Sequence, residues 1–221
     1  MNRELIALKH DHPDFDPHYK GQFICRASSS MKEQDYAEMA DAGCDYLYVG
    51  VESFSDHIRW DMDKKFNNED LDWHLKMCGK YGIKNSFLML VGYPTETLED
   101  HKKNLAWLQK NQHYALSGVI ALIVFGYTAS ILEDTPLFHM QQQLGILKEY
   151  HDADEFLSAN WVSAHNPQLT LTERIRRWVD LTEAAARLGY LMPRNEHYIK
   201  RFIAIMKTIK TKKKAFPIYS N

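Results

Sequence analysis

The sequence predicts an α/β fold in which parallel strands form a partial (β/α) barrel of the TIM type, followed by C-terminal helices. Three observations carry that expectation. Apolar runs rich in β-branched and aromatic residues alternate with amphipathic segments of helical period, in the order β-α-β-α-β-α-β. Strands alternating with helices imply a parallel sheet with right-handed crossovers. The runs are also short and apolar throughout, as strands buried on both faces are. Finally, only four strand candidates precede Gly126, whereas a closed barrel needs eight. The arc is therefore open. Its apolar edge must be covered by the C-terminal helices, by a second copy of the chain or by a missing N-terminal half.

The elements follow in order. Residues 2–9 set Leu5, Ile6 and Leu8 among charges, a short amphipathic helix. Pro13 and Pro17, with Asp11, Asp14 and Asp16, make a loop. Gln22-Phe-Ile-Cys-Arg26 is the first strand. Ser30-Met-Lys-Glu33 has the capping-box form and opens a helix with Tyr36, Met39 and Ala40 on one face, stopped at Gly43. Tyr46-Leu-Tyr-Val49 is the second strand. Asn67 caps a helix that places Leu71, Leu75 and Cys78 about one turn apart and ends near Gly82. Residues 86–91 form the third strand, Thr97-Leu-Glu-Asp100 caps a helix with Leu105 and Leu108 inside, and residues 119–125 form the last strand. Beyond Gly126 the pattern changes. Thr135-Pro-Leu-Phe138 starts a short helix, and a loop containing Asp152, Asp154 and Trp161 follows. Thr170-Leu-Thr-Glu173 caps a helix with Ile175, Trp178, Leu181 and Ala185 on one face, and residues 196–214 make another with Tyr198, Phe202, Ile205 and Ile209. The expected division is a partial barrel over residues 1–150 and a helical extension over 151–221.

Composition narrows the function classes. A chain of 221 residues with 45% hydrophobic and 25% charged residues suits one sizeable globular core. A net charge of −2 gives no sign of a nucleic-acid binder. The lysines of 207–214 read as a solvated helix end. No apolar run approaches the roughly 18 residues of a membrane span, and the N-terminus has no secretory pattern. Three scattered cysteines argue for a reducing compartment, so the expected location is cytoplasmic. The cluster of His10, His12, His18, Asp14 and Asp16 sits on a proline-broken loop with no element to converge its ligands, so no metal site is assigned. Nucleotide-binding glycine loops and a nucleophile elbow are absent.

The strand ends carry the functional signal. Gly50-Val-Glu-Ser53 closes the second strand with a carboxylate, and Gly92-Tyr-Pro-Thr-Glu-Thr97 closes the third. Arg26 follows the first strand and faces the same rim, where α/β folds place ligands. With Cys25-Arg26-Ala27, Asp41-Ala-Gly-Cys-Asp-Tyr-Leu-Tyr-Val-Gly-Val-Glu-Ser53, Lys64-Lys65, Leu90-Val-Gly-Tyr-Pro-Thr-Glu-Thr97 and Thr135-Pro-Leu-Phe138 in this order, about residues 20–190 resemble the second half of the radical S-adenosylmethionine (SAM) enzymes. The likeness is to the branch that often carries an N-terminal cobalamin-binding domain. It implies a parent enzyme that cleaves SAM reductively with a 4Fe–4S cluster, yielding a 5′-deoxyadenosyl radical, with cobalamin as a further cofactor. This chain departs from that pattern in lacking the C-x3-C-x2-C motif, and Cys25, Cys44 and Cys78 are too far apart to replace it locally. The cluster is thus expected in the intact parent only, with this chain a fragment, a truncated product or one chain of a split enzyme and inactive alone; the alternative is a degenerate relative that lost the cluster.

The resemblance implies that Glu52 and Ser53 lie near the SAM ribose or amino group and that Arg26 or a lysine of Lys64-Lys65 meets the SAM carboxylate. It also implies that the Gly92-Tyr93 turn approaches the adenine, with the reacting substrate above the strand ends, towards Glu52, Tyr93 and Phe125. From the residues alone, Glu52 is equally a helix cap, Arg26 a salt-bridge partner of Glu52, the lysine pair an exposed surface, and Gly92 and Pro94 parts of a tight turn. Thr95, Glu96 and Thr97 read as capping residues. Two other readings stand beside the resemblance: a non-catalytic α/β partner domain, and a barrel enzyme using Glu52 and Arg26 on an anionic small molecule.

Overall fold

A computed structural model describes residues 1–23, 25, 30–148 and 160–193, and all statements below concern these. In chain order the elements are α1 (Asn2–Asp11), β1 (Tyr19–Phe23), α2 (Glu33–Asp41), β2 (Cys44–Glu52), α3 (Asp56–Asp61) and α4 (Asn68–Tyr81). Then come β3 (Lys84–Val91), α5 (Leu98–Lys110), α6 (Gln112–Leu116), β4 (Ile120–Thr128) and α7 (Pro136–His139), followed by β5 (Ile146–Lys148), β6 (Trp161–Ser163) and α8 (Leu171–Arg187). Strands β1 to β4 form one sheet in sequential order, each pair parallel, as the alternating pattern predicts. The small β5–β6 pair is antiparallel and stands apart.

Three caps lie where the sequence places them. The Asn67 side chain accepts from the Asp70 N–H at 2.9 Å, Thr97 Oγ1 from that of Asp100 at 3.2 Å, and Thr170 Oγ1 from that of Glu173 at 3.3 Å. Each such bond satisfies an otherwise orphaned donor and contributes about 1 kcal/mol. The box expected at Ser30 is displaced. Helix α2 starts at Glu33, and the Asp35 carboxylate accepts the Lys32 N–H at 2.7 Å. A carboxylate three residues on meets the orphan donor at Lys32 and shifts the helix start towards it.

Strand bounds also differ from expectation. Strand β1 begins three residues earlier than expected, at Tyr19, whose N–H donates to Gly43 O at 2.9 Å. Strand β2 runs past Val49 through Glu52, and β4 runs through Gly126 to Thr128. Both extensions pass a β-bulge, where apolar periodicity in the sequence breaks although pairing continues. The short α3, α6, β5 and β6 have too few residues to show a period in the sequence.

One face of the sheet is sealed by helices. Leu47, Val49 and Val51 of β2, Phe87, Met89 and Val91 of β3, and Ile123 and Phe125 of β4 pack with Leu71, Leu75, Trp107 and Leu108 in a single apolar cluster. Each such side chain removed from water contributes roughly 2 kcal/mol. Helix α8 belongs to the stretch read as the C-terminal extension; its Ile175, Trp178, Leu181 and Ala185 lie in the same cluster, and Trp178 Nε1 donates to Phe125 O at 3.4 Å. The chain after α8 then reaches the outer edge of β4, where the Ile123 N–H donates to Leu191 O at 2.9 Å. The division at residue 150 and the helix expected over 196–214 lie outside the described residues.

Inside the core, His74 is fully buried between α4 and the sheet. Its Nε2 lies 2.9 Å from Asn85 Oδ1, an acceptor, so Nε2 carries the proton and Nδ1 accepts from the Tyr36 hydroxyl at 3.0 Å. The ring stacks on Phe23 with centroids 4.7 Å apart. Burial lowers the His74 pKa to about 4. The folded chain thus holds His74 neutral down to about pH 4, whereas the unfolded chain takes a proton near pH 6.5. The unfolded state binds more protons between those values, so stability is full above pH 6.5 and falls as pH drops towards 4, by at most about 3 kcal/mol. His74→Leu is expected to be less stable at pH 7, because Asn85 and Tyr36 lose their partner, yet to show a flatter decline on acidification; urea unfolding at pH 7, 6, 5 and 4.5 checks both.

Candidate functional site at the C-terminal strand rim

Parallel order brings the ends of β2 and β3 side by side. At the end of β2 two residues, Val51 and Glu52, occupy the space opposite Met89 alone, and Glu52 takes φ 65°, a left-handed backbone. Its carboxylate lies on the sheet face opposite the helix-packed core, the face of Tyr46, Tyr48 and Gly50. There it meets Lys64 Nζ at 3.1 Å, both side chains being partly exposed. The pair lies over Gly50, where a Cβ would stand 2.9 Å from Glu52 Oε1 and 3.5 Å from Lys64 Nζ. Gly50 is therefore what gives the two charged groups room. Of the two lysines, Lys64 joins Glu52, and Lys65 points to Asp63 at the exposed surface, 3.5 Å away.

Lys64 is held by the segment between α3 and α4. Its N–H donates to Arg59 O at 2.8 Å. Arg59 is itself fully buried. It donates to Ser53 O at 2.9 Å, to Asn68 Oδ1 at 2.8 Å and to Asp56, and covers the Phe66 ring at 4.8 Å. Ser53 has a different part from Glu52. Its hydroxyl is buried and donates to Asn104 Oδ1 at 3.1 Å, and the same oxygen of Asn104 accepts the Phe54 N–H at 2.7 Å. Ser53 thereby ties the exit of β2 to α5.

The β3 exit turns sharply. Gly92 has φ 77°, and a Cβ on it would stand 2.4 Å from Arg174 Cδ. Its N–H donates to Glu96 Oε2 at 2.9 Å, and Glu96 Oε1 accepts from Arg177 Nη1 at 2.9 Å. Glu96 is buried, which raises its carboxyl pKa against the opposing effects of Arg177 and the Gly92 N–H. Glu96 thus closes the turn and anchors it to α8; among the three residues read as capping, the cap proper is Thr97. Tyr93 is buried against α3 and donates its hydroxyl to Asp61 O at 3.3 Å; burial first, and Asp61 second, raise its pKa. Asp100 collects bonds from Ser55 Oγ at 2.6 Å, from the Thr97 N–H at 2.9 Å and Oγ1 at 2.6 Å, and faces His57 Nδ1 at 3.1 Å. Burial alone would raise its pKa; these bonds outweigh it and hold it at about 2.

The sheet face below Glu52 carries a second feature that the sequence reading missed. Lys20 Nζ lies over the Tyr46 ring at 5.4 Å, and the Tyr46 and Tyr48 rings are 5.2 Å apart. Tyr48 is 39% exposed and Leu88, on the next strand, 40%. Alternation of Tyr46, Tyr48, Gly50 and Glu52 along β2 was the available signal, since a period of two puts them on one face. Phe125, expected beside the substrate, is instead buried in the helix-side core, on the opposite face. Arg26 lies outside the described residues.

Among the described residues no group of three or more His, Cys, Asp or Glu could hold a metal ion. Cys25, Cys44 and Cys78 are buried and in no disulfide, and burial pushes Cys78 up to about 12 and Cys44 upward as well. Thiols kept protonated do not suit iron, which takes thiolate. None of the helices in the described residues is long and apolar enough to cross a membrane.

Residues 3–108 match the family model of the Radical SAM superfamily. Among solved structures, the cobalamin-dependent S-adenosylmethionine radical enzyme OxsB with aqua-cobalamin bound is similar with a TM-score of 0.57 and 15% identity, over 81% of this chain and 31% of that one. The radical S-adenosylmethionine methyltransferase TsrM from Kitasatospora setae, with tryptophan substrate and the SAM analogue aza-SAM bound, gives 0.54 and 16% identity over 94% of this chain and 50% of that one. The same protein with cobalamin and a [4Fe-4S] cluster bound gives 0.52 and 17% over 76% and 33%. At these identities the likeness is one of fold, and the four parallel strands are an arc of that α/β barrel architecture. The chain spans between about a third and a half of those chains. No curated protein matches it in sequence.

Gly92→Ala is expected to lose about 1–3 kcal/mol, from strain at positive φ and displacement of Arg174. Gly82→Ala, at φ 71° with nothing within 4 Å, should lose only the backbone part, about 1 kcal/mol. Paired urea titrations check the difference.

Proposed function

From a chain whose residues 3–108 match the family model of the Radical SAM superfamily, we propose that its role is to hold SAM in the C-terminal part of a radical SAM enzyme barrel. The observation that carries this reading is the Glu52–Lys64 pair, an anion and a cation 3.1 Å apart at the strand rim. The methionine end of SAM bears an ammonium and a carboxylate, and this pair offers each a partner of opposite sign. A partly exposed ion pair is worth little by itself, so exchanging it for ligand contacts costs little. Glu52 accepts from the SAM ammonium or ribose, and Lys64 donates to the SAM carboxylate, with Arg26 as a second donor. The Gly92–Tyr93 turn borders the adenine, and Ser53 acts through the β2 exit. The strand face of Tyr46, Tyr48 and Leu88 encloses the reacting substrate and excludes water from it.

The residues present do not suit an iron–sulfur cluster. The chain has no C-x3-C-x2-C motif, and its three thiols are buried. The cluster, and the cobalamin of the related branch, belong in this reading to protein outside the chain. Bound SAM supplies radical chemistry only with that cluster, so the chain alone is inactive. The outer edge of β1 has no strand partner among the described residues, whereas β4 is met by Leu191. A missing N-terminal half joins at β1 and completes the barrel. Cysteines outside any disulfide suit a cytoplasmic setting. A second reading, a non-catalytic α/β partner domain, is favoured by the placement of Cys25, Cys44 and Cys78 as packing residues of the apolar core.

Two measurements test these readings. Calorimetry should detect SAM or aza-SAM binding by the chain, weakened about tenfold or more by Glu52→Gln and by Lys64→Met, since each removes a charge-assisted hydrogen bond. A folded wild-type chain that takes up neither ligand would favour the partner-domain reading. Anaerobic reconstitution should give no stoichiometric 4Fe–4S centre, and iron and sulfide analysis that found one would overturn the assignment of the cluster to other protein.

A further inference from the structure

The family match ends at residue 108, yet the turn that closes β3 is held from well beyond it. We infer that Arg174 and Arg177 of α8 are positioning residues for the Gly92–Thr97 turn, fixing its backbone and through it the ligand held there. The ligand half of this inference rests on the proposed SAM reading; the backbone half stands on geometry alone.

Arg177 is buried and directs one nitrogen, Nη1, at three acceptors of the turn: Glu96 Oε1 at 2.9 Å, Glu96 O at 3.1 Å and Thr97 O at 3.0 Å. Its Nε donates to Glu173 Oε1 at 2.9 Å, which sets the guanidinium plane. Arg174, one turn earlier on the same face of α8, runs its aliphatic stem beneath Gly92. Its guanidinium lies 3.8 Å above the Trp161 ring and donates to Trp161 O at 3.1 Å and Leu169 O at 2.7 Å. Asn166, just before α8, adds Nδ2 bonds of 3.1 Å to both Pro94 O and Glu96 O. Across the turn itself, Glu96 Oε2 accepts the Gly92 N–H at 2.9 Å.

The carbonyls of Pro94, Glu96 and Thr97 are therefore all engaged from the α8 side. The turn cannot move without separating a buried ion pair and uncovering several acceptors together. A buried pair of this kind yields little net stability, because desolvation offsets attraction. Its yield is geometry: a loop already ordered before binding has less freedom to lose when the ligand arrives. Glycine at position 92 completes the arrangement, since any Cβ would collide with the Arg174 stem.

Hydrogen exchange and calorimetry on the full chain test this together. Arg177→Met should exchange amides of residues 92–97 about tenfold faster or more, with β2 and α4 unchanged, and should weaken SAM or aza-SAM binding by about tenfold. Arg177→Lys keeps the charge but loses the planar fork and the Nε bond to Glu173 that orients it, and should fall between wild type and Arg177→Met. Arg187→Met, at the exposed end of α8, should alter neither readout. If Arg177→Met does not fold, Glu96→Gln, which keeps an acceptor for the Gly92 N–H, should show the same selective loosening. Exchange at 92–97 that stays at wild-type rates, or rises equally everywhere, overturns the clamp. Selective loosening with unchanged affinity overturns its role towards the ligand. A wild-type chain that binds no SAM overturns the proposed function and the ligand half together, while the exchange data still decide the clamp.

Discussion

Parallel pairing in sequential order is the constraint from which the rim follows. Each helix must carry the chain back across the sheet before the next strand begins, so the carboxyl ends of β1, β2, β3 and β4 all finish on one side. Polar side chains that lie far apart in sequence then become neighbours without any of them being on a long loop. Glu52 at the end of β2 and Gly92 at the end of β3 are forty residues apart in the chain. Alternation along β2 aims the first carboxylate away from the core that holds Val49 and Val51.

Beneath that rim lies a layer of buried polar groups with defined partners. Asn104 and Asp100 on α5 gather the backbone and hydroxyls of Ser53, Phe54 and Ser55, while Arg59 gathers Ser53 and Asn68. A buried donor or acceptor without a partner costs about 1–3 kcal/mol, so any shift of one element exposes losses in the next. This layer makes the Glu52–Lys64 pair a fixed feature of the surface although both side chains touch water.

Much of the strand and helix order was legible because the core speaks through periodicity. Asn67, Thr97 and Thr170 act over three residues, a range at which chemistry alone identifies a cap. The choice between Lys64 and Lys65 was not legible, since it depends on the backbone around Asp63, which takes φ 55°. Nor was the burial of Ser53, decided by Asn104 half a hundred residues away. The arginines were the largest omission. Arg residues are read as surface by default, but Arg174 and Arg177 fall on the same stripe of α8 as Ile175, Trp178 and Leu181. Charged groups placed on an apolar stripe were the clue, and their partners Glu96 and Trp161 were supplied only by the fold.

Position 52 has a consequence for how this protein can change. Left-handed backbone suits glycine and burdens a residue with a Cβ by about 1–2 kcal/mol, and Glu52 sits there at φ 65°. Selection for thermal endurance alone would therefore drift this site towards glycine and lose the carboxylate on the way. A chain with no use for the carboxylate would be sturdier and blank at this spot.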